Sequence, residues 1–218
     1  MSNVEQKYSD LVLDVAALYE REEQILTSEQ STLEQLEDLL TRMDRIVIDL
    51  EGLLQILPRF EPLSISDHDL PFWDLESAII YANIQVMILE GSIAVRELCD
   101  RLNSIELRSE QQKALIANVL NRYSTDGDTT LAANVLTAVE YAIGADMGLY
   151  GAVRSLFPVR MMLCNLPSNS LQFEQFDTIY NKLHNLGLQH TKDLDQFWGQ
   201  PGHLTRTKRS TTTLPSLP

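Results

Sequence analysis

Histidines are the first residues to consider for chemistry, because imidazole is the commonest metal ligand and a frequent general base. The chain contains His68, His184, His190 and His203. None of them lies in an HExxH motif, the spacing that binds zinc on one helix face. The run Asp67-His68-Asp69 places three possible ligands together, but in a proline- and serine-rich stretch such a run usually solvates a turn. The run Asp126-Gly127-Asp128 lacks the spacing of a calcium loop and is interpreted as a turn. The sequence therefore predicts no metal site.

Nucleophiles and phosphate-binding loops are the next candidates. The two cysteines, Cys99 and Cys164, have no histidine near them in sequence, and the chain has no Gly-x-Ser-x-Gly motif. The glycines Gly144, Gly148 and Gly151 fit neither the GxGxxG spacing of a dinucleotide site nor a P-loop. We predict that the chain has no catalytic residue and no cofactor and is not an enzyme. An enzyme built on an unrecognised helical pocket is the third alternative.

The charge balance bears on nucleic acid. Seventeen Lys and Arg residues stand against thirty-one Asp and Glu residues, which gives a net charge of −14. Because clustered cations on phosphates supply most of the affinity for nucleic acid, we predict no direct, specific DNA binding. The basic cluster Arg206, Lys208 and Arg209 is a candidate nuclear import signal, and a solvated terminus is an equal alternative.

Helical periodicity runs through nearly every long segment, and no segment shows convincing period-2 alternation. The sequence therefore predicts an all-α fold, with one compact domain of seven or more helices over residues 1–198. The predicted helices are approximately Val4–Glu23, Leu33–Leu57, Trp73–Asn103, Ser109–Tyr123, Thr130–Ile143, Met147–Asn165 and Phe173–Asn185. Pro158 is expected to kink or split the sixth of them. Residues 199–218, which contain no acid, three prolines and five threonines, are predicted to form a disordered tail.

The second predicted helix carries a long apolar repeat. Ser31 and Glu34 fit the pattern of a capping box at its start, and a similar pattern that begins at Ser109 predicts the start of the fourth helix. Its apolar residues alternate at spacings of three and four: Leu33, Leu36, Leu40, Met43, Val47, Leu50, Leu54 and Leu57. Such a repeat could be a coiled-coil seam that forms a homodimer through the Leu33–Leu57 helix. Because further apolar residues widen the stripe, packing inside the domain is the favoured interpretation.

The third predicted helix is the most apolar part of the chain. Its window Ala78–Leu89 is followed closely by Glu90, Arg96 and Glu97. A bilayer needs roughly 20 uninterrupted apolar residues, so the sequence predicts a buried helix and no membrane partner.

A ligand pocket, where one exists, is expected at the junction of this helix with the glycine-containing turns. Aromatic rings and thioethers there offer apolar surface, and some of them have polar tips. The candidate lining residues are Trp73, Tyr81, Met87, Tyr141, Met147, Tyr150 and Phe157. The alternative is that these residues only fill the core.

Several stretches resemble a known family. Leu53-Leu54-Gln55-Ile56-Leu57-Pro58 is followed by Pro71-Phe72-Trp73 and then by Leu75-Glu76-Ser77-Ala78-Ile79-Ile80-Tyr81-Ala82-Asn83. Later stretches are Ala132–Tyr141, Met147-Gly148-Leu149-Tyr150-Gly151-Ala152, Leu156-Phe157-Pro158-Val159-Arg160 and Ile179–Gly187. Together, in scattered positions over about residues 35 to 190, they resemble the C-terminal half of the regulatory, or middle-homology, region of fungal zinc-cluster transcription factors.

The resemblance implies a transcription-regulator-like protein without its own DNA-binding cluster. The family binds DNA through a six-cysteine, two-zinc cluster, and this chain has two cysteines. By resemblance, the expected location is the nucleus, with the cytoplasm as the alternative, and the expected partner is a full-length zinc-cluster relative. A small-molecule effector and a link to a fungal biosynthetic gene cluster are further expectations of the same kind. A helical scaffold unrelated to transcription is the alternative function.

Overall fold

The computed structural model describes residues 3–27, 32–57, 74–104, 109–144 and 148–185. Helix makes up 91% of this part of the chain, which contains no strand, so the predicted all-α class is confirmed. The helices are α1 (Asn3–Thr27), α2 (Leu33–Ile56), α3 (Leu75–Ser104), α4 (Glu110–Arg122), α5 (Asp126–Ala142), α6 (Gly148–Asn165) and α7 (Leu171–Asn185). The total number of helices, the boundary at residue 198 and the disordered tail stay predictions, since they involve residues outside the described ranges.

Helix α3 lies between two hydrophobic clusters. One side of α3 packs with α1, α2 and α4 in a first core that includes Ile84 and Leu98. The other side packs with α5, α6 and α7 in a second core that includes Ala82 and Val86. A helix with cores on both sides must be apolar around most of its circumference, which explains the composition of the third predicted helix.

Helix α3 is also the one helix of the described ranges that is long and apolar enough to cross a membrane. Its most apolar 18-residue window has a mean hydropathy of 1.6, and 78% of that window is buried inside the molecule. The burial agrees with the prediction of a core helix, because neighbouring helices already cover the apolar surface of α3.

The apolar repeat of α2 belongs to the first core. Leu36, Leu40, Val47 and Leu50 are each at most 1% exposed, and α2 packs against both α1 and α3. The apolar repeat of α2 therefore packs inside the domain, as the favoured interpretation predicted. A homodimer through the Leu33–Leu57 helix stays a prediction, and it would have to use the opposite face of α2.

Two helix starts are formed by capping boxes. In α2 the box consists of Thr32 and Gln35, one residue later than the predicted pair Ser31 and Glu34. The Thr32 amide donates to Gln35 Oε1 at 2.9 Å, and the Gln35 amide donates to Thr32 Oγ1 at 3.3 Å. Both pairs fit the Ser/Thr-x-x-Glu/Gln pattern, so the pattern alone did not fix the register. The cap predicted at Ser109 is confirmed.

Helix α5 begins earlier than predicted. Asp126, Gly127 and Asp128, interpreted from sequence as a turn, form the first residues of the helix. Acidic residues in a first turn are favourable because they face the positive end of the helix dipole. In addition, Arg96 of α3 binds the Asp128 carboxylate through both terminal nitrogens, at 3.1 and 2.7 Å. This contact between distant parts of the chain is what the local sequence could not indicate.

Helix α6 runs through Pro158 as one helix from Gly148 to Asn165. The predicted possibility that Pro158 splits the helix is therefore wrong. Pro158 is buried, and α6 packs against α3, α5 and α7. Packing on three neighbours stabilises a helix in which proline removes one backbone hydrogen bond.

Candidate protein-contact surface

The candidate pocket residues that the structure describes lie in three environments. Met87 is in the first core, and Tyr141 packs against the second. Tyr81 packs against both cores. Tyr150 and Phe157 are on the outer surface of α6, with exposed fractions of 55% and 37%. The structure thus divides these five residues between the two cores and the surface.

Other candidate residues fall outside the described ranges. Trp73 and Met147 are two of them, and the basic cluster Arg206, Lys208 and Arg209 is another. The Asp67-His68-Asp69 run also lies there. Within the described ranges, no group of three or more His, Cys, Asp or Glu residues is placed to hold a metal ion. The ligand-pocket and nuclear-import assignments stay predictions.

The N-terminal half of α6 presents large apolar side chains to solvent. Leu149 is 59% exposed, Tyr150 is 55% exposed and Val153 is 45% exposed. Residues three and four positions apart share one side of a helix, so these three side chains form a continuous surface, which we call the α6 face. Phe157, at 37% exposure, lies one turn further along the same side.

The inner side of α6 explains why the large residues point outward. Gly151, Ala152 and Ser155 are buried on that side, where Ala152 belongs to the second core. The Ser155 hydroxyl donates to the Gly151 carbonyl at 2.8 Å, so its polar group is satisfied within α6. Small inward residues let α6 approach its neighbours closely, and the bulky residues of this half are left on the surface.

An ion pair and the hydroxyl group of Tyr150 lie at the edge of the α6 face. Glu76 of α3 accepts a hydrogen bond from the Tyr150 hydroxyl at 2.6 Å and another from Arg154 Nη2 at 2.7 Å. The Arg154 guanidinium also lies 5.8 Å from the centre of the Tyr150 ring. Donation to the Glu76 carboxylate raises the pKa of Tyr150. These contacts fix the Tyr150 ring at the edge of the face and leave its surface exposed.

A second polar contact lies close to Arg154, between α1 and α3. The Asn83 side-chain amide donates to the Tyr8 hydroxyl oxygen at 3.1 Å. Burial raises the pKa of Tyr8, and the positive charge of Arg154 opposes that rise. Asn83 Oδ1 is enclosed and has no hydrogen-bond partner among the described residues. This contact attaches the N-terminal part of α1 to α3 near the border of the α6 face.

The arrangement has the form of a protein contact surface. Such surfaces combine an apolar centre with a polar rim, and aromatic residues and arginine are enriched in them. Here Leu149 and Val153 supply the apolar part, while Tyr150 and Arg154 supply the aromatic and cationic parts. Sequence reasoning named Tyr150 and Phe157 but missed Leu149, Val153, Glu76 and Arg154. The four-residue spacing of Leu149 and Val153 indicated that these two side chains share one side of a helix, and it was the sequence feature that could have pointed to this surface.

Comparison with protein-family models, with curated proteins and with solved structures finds no match to this chain.

Proposed function

We propose that the chain is a transcription-regulator-like helical protein that lacks a DNA-binding cluster and acts through contacts with other proteins. The observation that carries this proposal is the exposed α6 face. Large apolar side chains exposed together on one helix are costly in water unless another molecule covers them for part of the time. The proposed partner is a full-length zinc-cluster relative, and the proposed location is the nucleus.

The position of the α6 face supports the regulatory interpretation. Two of the stretches that resemble the fungal regulatory region, Met147–Ala152 and Leu156–Arg160, fall largely within α6 and contain Leu149, Tyr150 and Phe157. A third stretch, Ala132–Tyr141, lies in α5, which packs against α6. The exposed face is therefore part of the segment on which the resemblance is strongest. By the same resemblance, a small-molecule effector and a link to a biosynthetic gene cluster belong to the proposal.

The charge of the chain favours a protein partner over DNA. With a net charge of −14, the chain repels a polyanion. Arg154, the cation at the border of the α6 face, already pairs with Glu76. An apolar helix face of a partner protein would bury Leu149 and Val153 without needing further cations. Any effect on transcription would then pass through that partner.

A transcript measurement tests the proposal in cells. Deletion of the gene should change the transcript levels of a defined gene set, and the wild-type chain should restore them. The double variant Leu149→Ser/Val153→Ser should fail to restore them, because it makes the α6 face polar without touching the cores. The matched control is Leu13→Ser/Leu171→Ser, which changes two leucines that are 70% and 65% exposed elsewhere on the surface.

Photo-crosslinking identifies the partner. A photo-reactive amino acid in place of Val153 should crosslink to a protein that carries a six-cysteine zinc cluster, and the same amino acid in place of Leu13 should not. If deletion leaves all transcripts unchanged and position 153 crosslinks only to proteins without such a cluster, the regulatory proposal is wrong. The helical scaffold would then be the better description.

A further inference from the structure

Helices α6 and α7 form an antiparallel hairpin. Residues 166–170 connect Asn165 at the end of α6 to Leu171 at the start of α7, and the two helices pack against each other. A connection this short joins antiparallel neighbours. At a rise of about 1.5 Å per residue, the 15 residues of α7 return the chain to about the level of Gly151 on α6. The chain therefore leaves α7 at the end of the molecule where the α6 face lies.

The sequence that follows α7 carries large apolar side chains up to residue 198. Residues 186–218 lie outside the described ranges, and apolar side chains occur among the first of them at Leu186, Leu188, Leu194, Phe197 and Trp198. We call the last part of this stretch, residues 194–198, the 194–198 segment. Residues 199–218 contain no Phe, Trp or Tyr. Because large aromatic rings gain free energy when they leave water, the 194–198 segment favours contact with an apolar surface.

Among the exposed apolar residues of the described ranges, those of the α6 face lie nearest to the level at which the chain leaves α7. Leu149 and Val153 are each within about one helical turn of that level. Leu171 is exposed at the start of α7, at the other end of that helix. The remaining ones lie on α1, α2 and α4, which pack on the opposite side of α3: Leu13, Ile48, Ile56 and Leu115.

We propose that the 194–198 segment binds the α6 face of its own chain, with its two aromatic rings against Leu149 and Val153, and thereby excludes other proteins from that face. The segment and the face are complementary, because each presents apolar surface that the described helices do not cover. The contact itself needs no partner, whereas its inhibitory role rests on the function proposed above.

The length of chain after α7 permits this contact. The residues between Asn185 and Leu194 can span up to about 30 Å when extended. The α6 face is shorter than that, because α6 rises only about 12 Å from Leu149 to Phe157. Since the segment and the face belong to one chain, their effective concentration is on the order of millimolar. Even a weak contact of this kind competes with a separate protein.

The contact would regulate the α6 face through the fraction of molecules in which that face is open. A partner that binds only the open form has its apparent affinity reduced by this fraction. Weakening the contact should therefore strengthen partner binding, up to the limit set by the open form. Loss of two apolar residues is thus expected to raise binding of a partner, which a merely structural role would not do.

Tryptophan fluorescence of the purified chain tests the contact without a partner. The chain has two tryptophans, so Trp73→Phe leaves Trp198 as the only one. Its emission should lie at a shorter wavelength than that of tryptophan in water, at every protein concentration. Leu149→Ser/Val153→Ser should shift the emission to longer wavelength and increase quenching by acrylamide severalfold, while the circular dichroism spectrum stays unchanged.

The matched control for the fluorescence measurement is Leu13→Ser/Leu171→Ser, which should change neither emission nor quenching. Emission at the wavelength of free tryptophan would overturn the proposal. So would an emission that the α6 double variant leaves unchanged. A shift that appears only as the protein concentration rises would also overturn it, because the segment would then bind another copy of the chain.

Photo-crosslinking in cells tests the inhibitory role. In a chain with the photo-reactive amino acid in place of Val153, Phe197→Ser/Trp198→Ser should raise the yield of crosslinks to the zinc-cluster partner severalfold. The control Leu214→Ser/Leu217→Ser changes two apolar residues outside the 194–198 segment and should leave the yield unchanged. Equal yields with and without the Phe197 and Trp198 changes would overturn the inhibitory role and leave the proposed function intact. If no zinc-cluster protein is crosslinked in either case, the proposed function fails, while the fluorescence shift still supports the contact.

Discussion

A missing side chain at Gly91 determines how closely α2 and α3 can approach. The Val47 methyl group occupies the space that any Cβ at position 91 would need. Gly91 is buried on α3, and Val47 is 1% exposed on α2, so neither residue has open space into which to move. Close-packed interiors resist even one added methyl group. A glycine that looks unfavourable within α3 is thus required by the packing of two helices.

We expect Gly91→Ala to lower the free energy of unfolding by about 1–3 kcal/mol, because overpacking forces the backbone apart. Gly52→Ala in α2 is the matched control, because an added Cβ there would have nothing within 4 Å, and it should be neutral or raise the free energy of unfolding by up to about 1 kcal/mol. Adding Val47→Ala to Gly91→Ala should cost less than the sum of the two single changes, since the smaller side chain makes room. Urea denaturation followed by circular dichroism measures all four variants. Equal effects at Gly91 and Gly52 would contradict the assignment.

Tyr123 connects α4 to α2 through its hydroxyl group. The hydroxyl donates to Asp44 Oδ1 at 2.7 Å, and Arg122 Nη1 donates to the same oxygen at 2.7 Å. The ring itself is buried in the first core, where it is 4% exposed. Burial, and then the bond to the Asp44 carboxylate, raises the pKa of Tyr123 well above that of a free tyrosine.

This shift makes the stability of the fold sensitive to alkaline pH. The neutral phenol is favoured in the folded state, so its contribution is complete below the unfolded-state pKa of about 10 and is lost as the pH rises above it. Tyr123→Phe should lower the free energy of unfolding by about 1.5–3 kcal/mol at pH 8, because a hydrogen bond to a charged group is lost. Between pH 9 and pH 11 the variant should lose less stability than the wild type. Parallel pH profiles would show that Tyr123 does not titrate as described.

At the scale of helices, local sequence signals predicted the elements and tertiary contacts set their ends. The apolar repeat of α2 and the Ser109 cap of α4 could be predicted from sequence, because each is a local pattern with a direct physical cause. The start of α5 could not, because its first turn contains Asp128, whose partner Arg96 is thirty-two residues away in the sequence. Two overlapping capping patterns at the start of α2 were equally consistent with the sequence, and only the hydrogen bonds at Thr32 separate them.

The register of the α2 cap is testable by substitution. Thr32→Ala should lower the free energy of unfolding by about 1 kcal/mol, because the Gln35 amide loses its side-chain acceptor. Ser31→Ala removes the capping residue predicted from sequence, and it should lower the free energy of unfolding by less than Thr32→Ala does. Ser109→Ala in α4 is the positive control, since its capping box has the same geometry. A larger loss at Ser31 than at Thr32 would return the cap to the position predicted from sequence.

The α6 face shows why a candidate contact surface is harder to predict than a helix. Periodicity places Leu149 and Val153 on one side of α6 and Gly151, Ala152 and Ser155 on another. It does not say which side faces the core, and an apolar side is ordinarily assigned inward. In the N-terminal half of α6 the small residues are buried and the large apolar residues are exposed, so the ordinary assignment is reversed there. Which side of α6 is buried depends on its packing against the neighbouring helices, so the sequence of α6 alone does not indicate it.

At the scale of the whole molecule, α3 makes the two cores depend on each other. The first core uses Ile84, Val95 and Leu98 of α3, and the second uses Ala82 and Val86 of the same helix. Isolated helices are marginal in water, so α3 is stable mainly because both sides are covered. Loss of either core would expose one side of α3 and remove part of the support of the other core. The described helices should therefore unfold together.

We expect a substitution in the second core to expose a thiol in the first. Phe176 of α7 is fully buried in the second core, and Cys99 of α3 is fully buried in the first. Phe176→Ala should lower the free energy of unfolding by about 3–5 kcal/mol. In a Cys164→Ser background, the free energy of unfolding obtained from urea-dependent labelling of Cys99 should fall by the same amount. Leu39→Ala in the first core should shift Cys99 labelling and the circular dichroism transition together, by about 2–5 kcal/mol. Leu171→Ser, an exposed change on α7, should shift neither measurement. If Phe176→Ala lowered the circular dichroism signal in a separate early step while Cys99 kept its wild-type labelling midpoint, the two cores would be independent units, and α3 would not couple them.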